Sequence, residues 1–499
     1  MVLWYQLRND SIDTTKDVFD PARWGLPAKA VCGLGNALRE FWSRFRHCFR
    51  TRTRDTSEYA YVYWRGQLTM EDARNYANIE RRVNSGDGQG VQHFMSDSPW
   101  SGQQVFEQIQ GDIKAQPILC EEGLLILDES ADAKAGEHSV GAGRQRNGRL
   151  GKVDLCLVAT NLAFYHPPTG LWTLVDGELF LPAEWFTDEY AELRQEVELP
   201  TARKFASKPQ LGLQMIRRAQ RQGLPFTRVA CDDLYGRGRG FRAELDGAGL
   251  RYAAEVPANT QVYLKPPRVG VPRKRKARGR RPTHKRVLSQ HKPREVRALA
   301  KSRQTRWERV QVRPTERGML MADFAVRQVW TLTPDKQVRA EWLVIRRDLD
   351  GRLTYVLLND PPDTPHEVLI RASCQRYFVE RTYQDAKSEL GWDDFQARKY
   401  RAWGHHMALT AAALWFVAGV KLEWQQTYAR DPELARQLEL EVLPALSTAN
   451  VRELLQAVLP LPQLRPDQAR ELVATHLVHR ARSTRSRLKR QQLDYQDSS

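Results

Sequence analysis

The order of short apolar segments between residues 123 and 256 constrains the fold of this chain more than any other feature. Strand-like runs at 124–127, 153–159 and 171–175 are followed by a helical stretch at 208–222, a strand at 227–231, a helix at 242–245 and an extended segment at 252–256. Turn residues separate the first three runs, which therefore predict a three-stranded meander. A meander followed by alternating helix and strand predicts an α/β protein with a mixed sheet, in the arrangement called RNase H-like.

The rest of the chain suggests what surrounds this core. At 499 residues the chain exceeds the roughly 250 to 300 residues that one hydrophobic core supports. Further strands are predicted at 319–326, 329–332, 340–345 and 354–358, and helices at 38–54, 68–82, 90–112, 373–390 and 403–424. We predict five regions: a helical N-terminal domain (1–120), the first part of the core (121–262), a basic arm with a β-rich insertion (263–360), the second part of the core (361–430), and a helical C-terminal region with a basic tail (431–499). In the N-terminal domain, two predicted helices around the Gly-containing turn 84–88 resemble a unit that places a helix in a DNA groove, so we predict a DNA-binding domain. The alternative is an ordinary connection between two helices.

Basic charge is concentrated in one block. Residues 265–317 contain 20 Lys or Arg against 3 acidic residues, while the remainder of the chain has 57 of each. A cationic block in an otherwise neutral protein indicates a surface for a polyanion such as DNA, because neutralised phosphates release counterions. The alternative is a solvated basic linker. The densest run consists of Arg273, Lys274, Arg275, Lys276, Arg278, Arg280 and Arg281.

Several classes of protein are disfavoured. The six cysteines form no Cys-x-x-Cys pair, which argues against zinc fingers and for reduced thiols. The longest apolar run, 407–420, is shorter than the roughly 20 residues that span a bilayer, and no basic start with an apolar stretch opens the chain. We expect no membrane association and a cytoplasmic, nucleoid-associated protein. A phosphate-binding Gly-x4-Gly-Lys-Ser/Thr loop is absent, so ATP use is not indicated.

Three carboxylates form the pattern that carries chemistry. Asp128 and Asp232 each end an apolar strand, and Arg376, Glu380 and Lys387 follow the spacing Arg-x3-Glu-x6-Lys on a predicted helix. Steps of four and seven place the latter three on one helical face. Carboxylates are the ligands that magnesium prefers, although an aspartate at a strand end often caps a helix and an Arg–Glu pair four apart is also an ordinary surface ion pair.

A family resemblance rests on several motifs that occur in the same order. They are Leu127-Asp128-Glu129-Ser130, His138-Ser139-Val140-Gly141, Gly143-Arg144-Gln145, Asp232-Asp233-Leu234-Tyr235-Gly236 and the segment 376–391. The chain resembles bacterial insertion-sequence transposases of the DDE type, and more narrowly the insertion sequence 701 group of the insertion sequence 4 superfamily. This resemblance covers roughly residues 38–430.

The resemblance implies a DNA transposase with an RNase H-like catalytic core. It makes Asp128, Asp232 and Glu380 the ligands of two Mg²⁺ ions, with Mn²⁺ able to substitute, and it makes Arg376 and Lys387 contacts to the DNA backbone. It also implies double-stranded DNA partners, namely terminal inverted repeats and target DNA, and a homodimer in a synaptic complex. The family's tyrosine three residues before the arginine is Ser373 here, so any phosphate contact by that hydroxyl is shortened or lost.

Some assignments stay open from sequence. Glu129 follows Asp128 and Asp233 follows Asp232, and we prefer the first acid of each pair because neighbours on a strand face opposite ways. Related transposases hold an unstacked base against a Trp on the last strand of the insertion. Here Tyr355 and Trp342 are the candidates, with core packing as the alternative.

Other functions compete with transposition. A nuclease of the same fold would cut without joining, a captured transposase would bind DNA only as a regulator, and a generic nucleic-acid binder would explain the basic block alone. The intact set of Asp128, Asp232 and Glu380 argues against the last two. His138, His405 and His406 are expected to be exposed, packed or phosphate-binding, and not to act as bases.

Overall fold

The structure is a computed structural model that describes residues 18, 20–134, 136–148, 150–272, 282–315, 318–394, 396–440 and 443–462, with isolated helical positions from 466 to 485. The described chain forms two compact units. One comprises Met1–Phe94, Glu389–Asp394 and Ala413–Ser499, and the other comprises Met95–Ser388 and Phe395–Ala412. The second unit contains the sheet and every residue of the predicted catalytic site.

The helices, in chain order, are α1 (Ala28–Phe45), α2 (Ser57–Thr69), α3 (Tyr76–Asn84), α4 (Gln89–Ser96), α5 (Gly102–Lys114), α6 (Ala191–Glu196), α7 (Lys208–Gln222), α8 (Asp233–Gly236), α9 (Arg239–Gly247), α10 (Val296–Ala300), α11 (His366–Ser373), α12 (Tyr377–Gln384), α13 (Tyr400–Thr427), α14 (Pro432–Gln437) and α15 (Thr448–Val458). A π-helical turn, Asp385–Glu389, follows α12 directly.

The strands are β1 (Leu124–Ala133), β2 (Gly143–Asn147), β3 (Lys152–His166), β4 (Leu171–Phe180), β5 (Arg228–Cys231), β6 (Arg251–Glu255), β7 (Gln261–Val262), β8 (Val269–Gly270), β9 (Arg286–Val287), β10 (Arg294–Glu295), β11 (Glu308–Thr315), β12 (Gly318–Leu332), β13 (Val338–Asp348) and β14 (Leu353–Leu358).

Ten of these strands form one mixed sheet. The order is β11-β12-β13-β14-β6-β5-β1-β3-β2, and β4 also pairs with β3. Strands β1, β5 and β6 are parallel neighbours, whereas β3 runs antiparallel to both β1 and β4. The predicted meander and the alternation of helix and strand are therefore present, and the chain has a mixed α/β fold.

Apolar side chains explain why these segments pack as they do. Residues Leu124, Leu125, Ile126 and Leu127 of β1 are all buried, as are all four residues of β5, which is expected for central strands covered on both faces. Helix α7 begins with a capping box between Ser207 and Gln210 and ends at Gly223, which has a φ of 72°. These are strong helix boundaries, and the predicted range 208–222 was correct.

Several predicted strands are shorter than the observed ones, and some observed strands were not predicted. Strand β1 continues to Ala133, β3 begins at Lys152 and ends at His166, and 319–326 with 329–332 form the single strand β12. Strands β2 and β11 were missed because both are rich in polar or charged residues. Strands of this kind are stabilised by side-chain packing in the sheet, which the strand propensity of their residues does not reveal.

Three predicted helices have different bounds in the structure. The helix at 68–82 is wrong, because α2 ends at Thr69 and α3 begins after Asn75, whose side chain caps it. The helix at 90–112 is split at Pro99, which cannot continue a helix because it lacks an N–H. The helix predicted at 373–390 begins later, because α11 ends at Ser373 and turn residues at 374–376 precede α12, which a π-helical turn follows.

Helix α13 is longer than the apolar run within it. Its 28 residues are long and apolar enough to cross a membrane, and 83% of the most apolar window is buried within the protein. Burial of this degree is what the core helix of a globular protein shows. The length and apolar character of α13 alone are therefore weak support for a membrane span.

Candidate active site

Three parallel strands bring carboxylates to one end of the sheet. The register pairs Leu127 of β1 with Cys231 of β5, and Cys231 in turn with Ala254 of β6. The residue that directly follows each of these three is acidic: Asp128, Asp232 and Glu255. Neighbouring strands lie about 4.8 Å apart, so these three residues occupy adjacent positions at the carboxyl ends of β5 and β6 and partway along β1.

Asp128 does not end its strand as predicted, since β1 continues for five more residues and Asp128 pairs across the ladder with Asn161 of β3. Its side chain is 11% exposed. Asn161 Nδ2 donates to the hydroxyl of the half-buried Tyr383 at 3.4 Å. Asp128 is thus held in a packed, partly polar setting.

Asp232 occupies the tight turn between β5 and α8. It is the N-cap of α8, and its Oδ1 accepts the backbone N–H of Leu234 at 3.0 Å. Gly236 ends that helix where a Cβ atom would lie 1.9 Å from the carbonyl oxygen of Glu255. The glycine is required because backbone approaches backbone there, and the close approach fixes Asp232 beside the end of β6.

Arg376 lies between the carboxylates. Its Nη1 donates to Asp128 Oδ2 at 2.8 Å, its Nε to Glu255 Oε1 at 2.9 Å, and its Nη2 to Glu380 Oε1 at 3.2 Å. The guanidinium therefore joins β1, β6 and α12. Glu380 is connected to Asp128 through Arg376, and its own side chain is 56% exposed.

The electrostatics show an excess of negative charge. Burial raises the pKa of Asp128 to about 7, with the charge of Asp232 adding to the effect and Arg376 opposing it. Burial, followed by the charge of Glu129, raises the pKa of Asp232 to about 6. Burial opposes the charge on Arg376, but Glu255 and Asp128 outweigh it and its pKa lies above the ordinary value. Such a site favours the binding of a cation.

The donor set fits a hard divalent cation. Asp128 and Asp232 offer only oxygen atoms, lie on adjacent strands and are incompletely neutralised by Arg376, which suits Mg²⁺ or Mn²⁺. Among the residues that the structure describes, no three His, Cys, Asp or Glu side chains converge closely enough to hold a metal ion. The guanidinium of Arg376 lies between Asp128 and Glu380 and donates to both carboxylates.

Lys387 and Ser373 have separate surroundings. Lys387 lies in the π-helical turn, and its Nζ donates to the carbonyl oxygen of Ala131 at 3.2 Å, three residues beyond Asp128. Turns of this kind occur frequently at functional sites. Ser373 ends α11, and its buried hydroxyl donates to the Ile370 carbonyl at 2.7 Å. Its hydroxyl is therefore used within its own helix.

The two alternative acids face other partners. Glu129 lies 3.0 Å from Lys208 Nζ at the start of α7, and Asp233 pairs at 3.1 Å with Arg237, the residue after α8. Asp128 is the acid of its pair that contacts Arg376. This arrangement favours Asp128 and Asp232 as ligands, although the charge of Glu129 does reach Asp232.

The three histidines are either exposed or packed within the protein. His138 is exposed and its Nδ1 lies 3.2 Å from Glu196. His405 is buried with both ring nitrogens 2.8 Å from backbone carbonyls of Met95 and Trp100, and it stacks on the Trp100 ring at 3.6 Å. His406 is likewise buried.

The proposed DNA contacts away from the carboxylates divide into three groups. The run Arg273, Lys274, Arg275, Lys276, Arg278, Arg280 and Arg281 lies outside the described residues. Other basic residues of the block are described and exposed, including Lys285, Arg294 and Arg303. Tyr355 is 5% exposed and packs in a core cluster, which favours the packing alternative for this residue, whereas Trp342 is half-buried and donates from Nε1 to the Pro361 carbonyl at 3.1 Å.

Glu255 was not identified from sequence. A single acid at the end of a short strand is common, and only the pairing of β5 with β6 shows that it adjoins Asp232. The signal that could have found it was the acidic residue that directly follows each of three apolar runs, those that end at Leu127, Cys231 and Ala254.

Comparison with known proteins agrees with the geometry. The family described as DDE superfamily endonuclease matches residues 44–319, a range that contains Asp128 and Asp232 and ends before Glu380. The chain is 28% identical over 328 residues to the "Probable transposase for insertion sequence element IS701" of Microchaete diplosiphon, which covers 64% of this chain and 72% of that protein. The predicted resemblance to the insertion sequence 701 transposases is thereby confirmed. Because the family match covers more than half of its residues, the chain belongs to the DDE superfamily of endonucleases.

Proposed function

We propose that the chain is a transposase that cuts the ends of a DNA element and joins them to target DNA. The observation that carries the proposal is the placement of Asp128 and Asp232 on adjacent parallel strands, with Arg376 linking Asp128 to Glu380. The similarity to a probable insertion-sequence transposase supports the substrate. The fold proposed is an RNase H-like core, with residues between β6 and α11 forming a β-rich insertion that extends the same sheet.

Each residue of the site has a distinct part in this proposal. Asp128, Asp232 and Glu380 would hold divalent cations, which supply charge stabilisation at the attacking and leaving oxygens of an in-line phosphoryl displacement. Arg376 stabilises negative charge on the transferred phosphate, since its planar guanidinium offers several donors in a fixed arrangement. Lys387, whose Nζ lies beside β1, contacts the DNA backbone near the cut, and the exposed basic block binds the flanking phosphates.

The same site serves cutting and joining in turn. Hydrolysis of one strand at an element end frees a 3′ hydroxyl, and that hydroxyl then attacks a phosphodiester of the target. Both steps displace an oxygen from phosphorus in line, so one set of carboxylates suffices. Joining two ends requires two active sites in proximity, from which we infer a homodimer on DNA.

The test uses purified full-length protein, Mg²⁺ and a duplex that carries the element end. Asp128→Asn, Asp232→Asn and Glu380→Gln should abolish cleavage and leave DNA binding largely intact, because the basic surface remains. Glu129→Gln and Asp233→Asn are the matched controls and should be much milder. A variant with near-normal cleavage would remove that residue from the set of ligands.

Joining distinguishes transposition from other functions of this fold. A pre-cut element end with a free 3′ hydroxyl should be transferred into a target plasmid. Cleavage without any joined product would indicate a nuclease, and binding without cleavage would indicate a regulator that has lost activity.

Trp342 is the better candidate for stacking an unpaired base. Its ring is half-buried and makes an edge-to-face contact with His366 at 5.6 Å, at the edge of the core cluster that contains α11. Stacking contributes roughly 1 to 3 kcal/mol per base. Trp342→Ala should nick the first strand and stall before the second cut, whereas Tyr355→Ala should lose thermal stability together with every activity.

A further inference from the structure

One carboxylate near the site has no part in the proposed metal set. Glu255 ends β6, and its Oε1 accepts the Nε–H of Arg376 at 2.9 Å. The other two partners of Arg376, Asp128 and Glu380, are both candidate ligands. Two nitrogens of Arg376 therefore donate to carboxylates that a metal ion would also bind. The third donates to Glu255, which is not a candidate ligand.

The backbone that carries Glu255 is fixed on both sides. Strand β6 pairs with β5 through Ala254 and with β14 through Glu255 itself, which lies opposite Val356. The carbonyl oxygen of Glu255 also packs against Gly236, where a side chain could not fit. Glu380, by contrast, projects from α12 with its side chain 56% exposed. Of the two glutamates that hold Arg376, Glu255 is the one built into the sheet.

Competition between Arg376 and a cation follows from these contacts. The Asp128 and Glu380 carboxylates that accept from the guanidinium are the same carboxylates that would bind a divalent ion. An arginine displaced from both would lose two charge-assisted hydrogen bonds, which are the strong ones in proteins. The bond from Nε to Glu255 involves no ligand oxygen and does not have to break.

We propose that Glu255 is a positioning residue that retains Arg376 when a divalent cation takes Asp128 and Glu380. It makes displacement of the guanidinium less costly, and it keeps that group at the site to meet a DNA phosphate. This role rests on the proposed function for the identity of the cation and of the phosphate. Glu255 therefore raises the affinity for the metal ion through its contact with Arg376 and not by binding the ion.

The experiment measures Mn²⁺ binding to the metal-free full chain without DNA, from the electron paramagnetic resonance signal of free Mn²⁺. Glu255→Gln should weaken binding by about tenfold, within the range of coupling between contacting residues. The same substitution in an Arg376→Gln background should change the affinity by less than about twofold, because the residue through which Glu255 acts is gone. Glu244→Gln, which removes another Arg–Glu pair at 2.7 Å on the surface, is the matched control and should have no effect.

Equal weakening in both backgrounds would overturn the proposal, since it would mean that Glu255 acts on the ion by its own charge. Unchanged affinity in the Arg376-containing background would overturn it as well. The Glu255→Gln variant could also melt at a lower temperature in EDTA and bind no Mn²⁺ at any concentration. That result would assign Glu255 to folding alone and overturn the proposal. If the predicted coupling is found but no strand transfer occurs, the role of Glu255 stands and the joining reaction fails.

Discussion

Replacing Asp128 by Asn should make the metal-free protein more stable, although it destroys the site. Burial raises the pKa of Asp128 from 3.8 to about 7, and this gap corresponds to about 4 kcal/mol of differential free energy between the charged and neutral forms. At neutral pH the unfolded chain ionises this carboxyl freely, whereas the folded chain does so at a cost. A neutral amide of the same shape removes that cost, with some weakening of the interaction with Arg376.

The sign of the pH dependence follows from linkage. Between pH 4 and pH 7 the unfolded state has released the proton of Asp128 and the folded state has kept it. The wild-type protein therefore loses about 1.4 kcal/mol of stability per pH unit from this group as the pH rises, and the loss is complete above pH 7. The advantage of Asp128→Asn should be close to zero at pH 4, grow to about 4 kcal/mol at pH 7 and then stay constant.

The assay is urea unfolding in EDTA at pH 4.5, 6, 7 and 8, with Asp233→Asn as control because that side chain is 47% exposed. Added Mg²⁺ should stabilise the wild type and not Asp128→Asn, since only a folded site binds the ion. If Asp128→Asn were no more stable than the wild type at pH 7 without metal, the reasoning from burial and charge would be refuted.

Three further outcomes are expected. Neutralising the basic block 265–317 should weaken DNA binding and flatten the dependence of log K on log salt by about 0.9 for each phosphate that the protein no longer neutralises, whereas an unchanged slope would identify a linker. Gly236→Ala should reduce both stability and Mn²⁺ binding because its Cβ would collide with a carbonyl oxygen, while Gly111→Ala, with nothing within 4 Å, should not. Glu341→Ala should cost about 3 to 5 kcal/mol in the free energy of unfolding, since this buried carboxylate accepts from Arg242, and a smaller effect would show that solvent reaches the pair.

Local sequence predicted the parts of the site that depend on single strands and on one helical turn. Apolar runs located β1 and β5, and the four-residue step from Arg376 to Glu380 predicted a contact that is present. Residues that recur at the period of a helix or a strand can be assigned to one face from sequence alone, because both elements have fixed periods.

The parts of the site that the sequence could not predict depend on how the strands pair. Glu255 becomes part of the site only through the register of β5 with β6, and register is set by the whole sheet. The interruption before α12 was missed because residues 374–376, Cys-Gln-Arg, contain no proline or glycine to signal a turn. Strand β11 was hidden because its alternation is masked by charged residues of the basic block.

The single sheet has a consequence for evolution and engineering of this chain. Strand β14 is hydrogen-bonded to β6, so the segment that follows β6 is not an appendage that could be cut out at its ends. Its removal would leave the backbone of β6 as an open edge beside the carboxylates, and such edges pair with other chains and aggregate. Amide hydrogens of β6 and β14 should therefore exchange with solvent as one cooperative unit. A shorter version of the chain that lacks β14 and the strands paired to it is therefore not available by truncation.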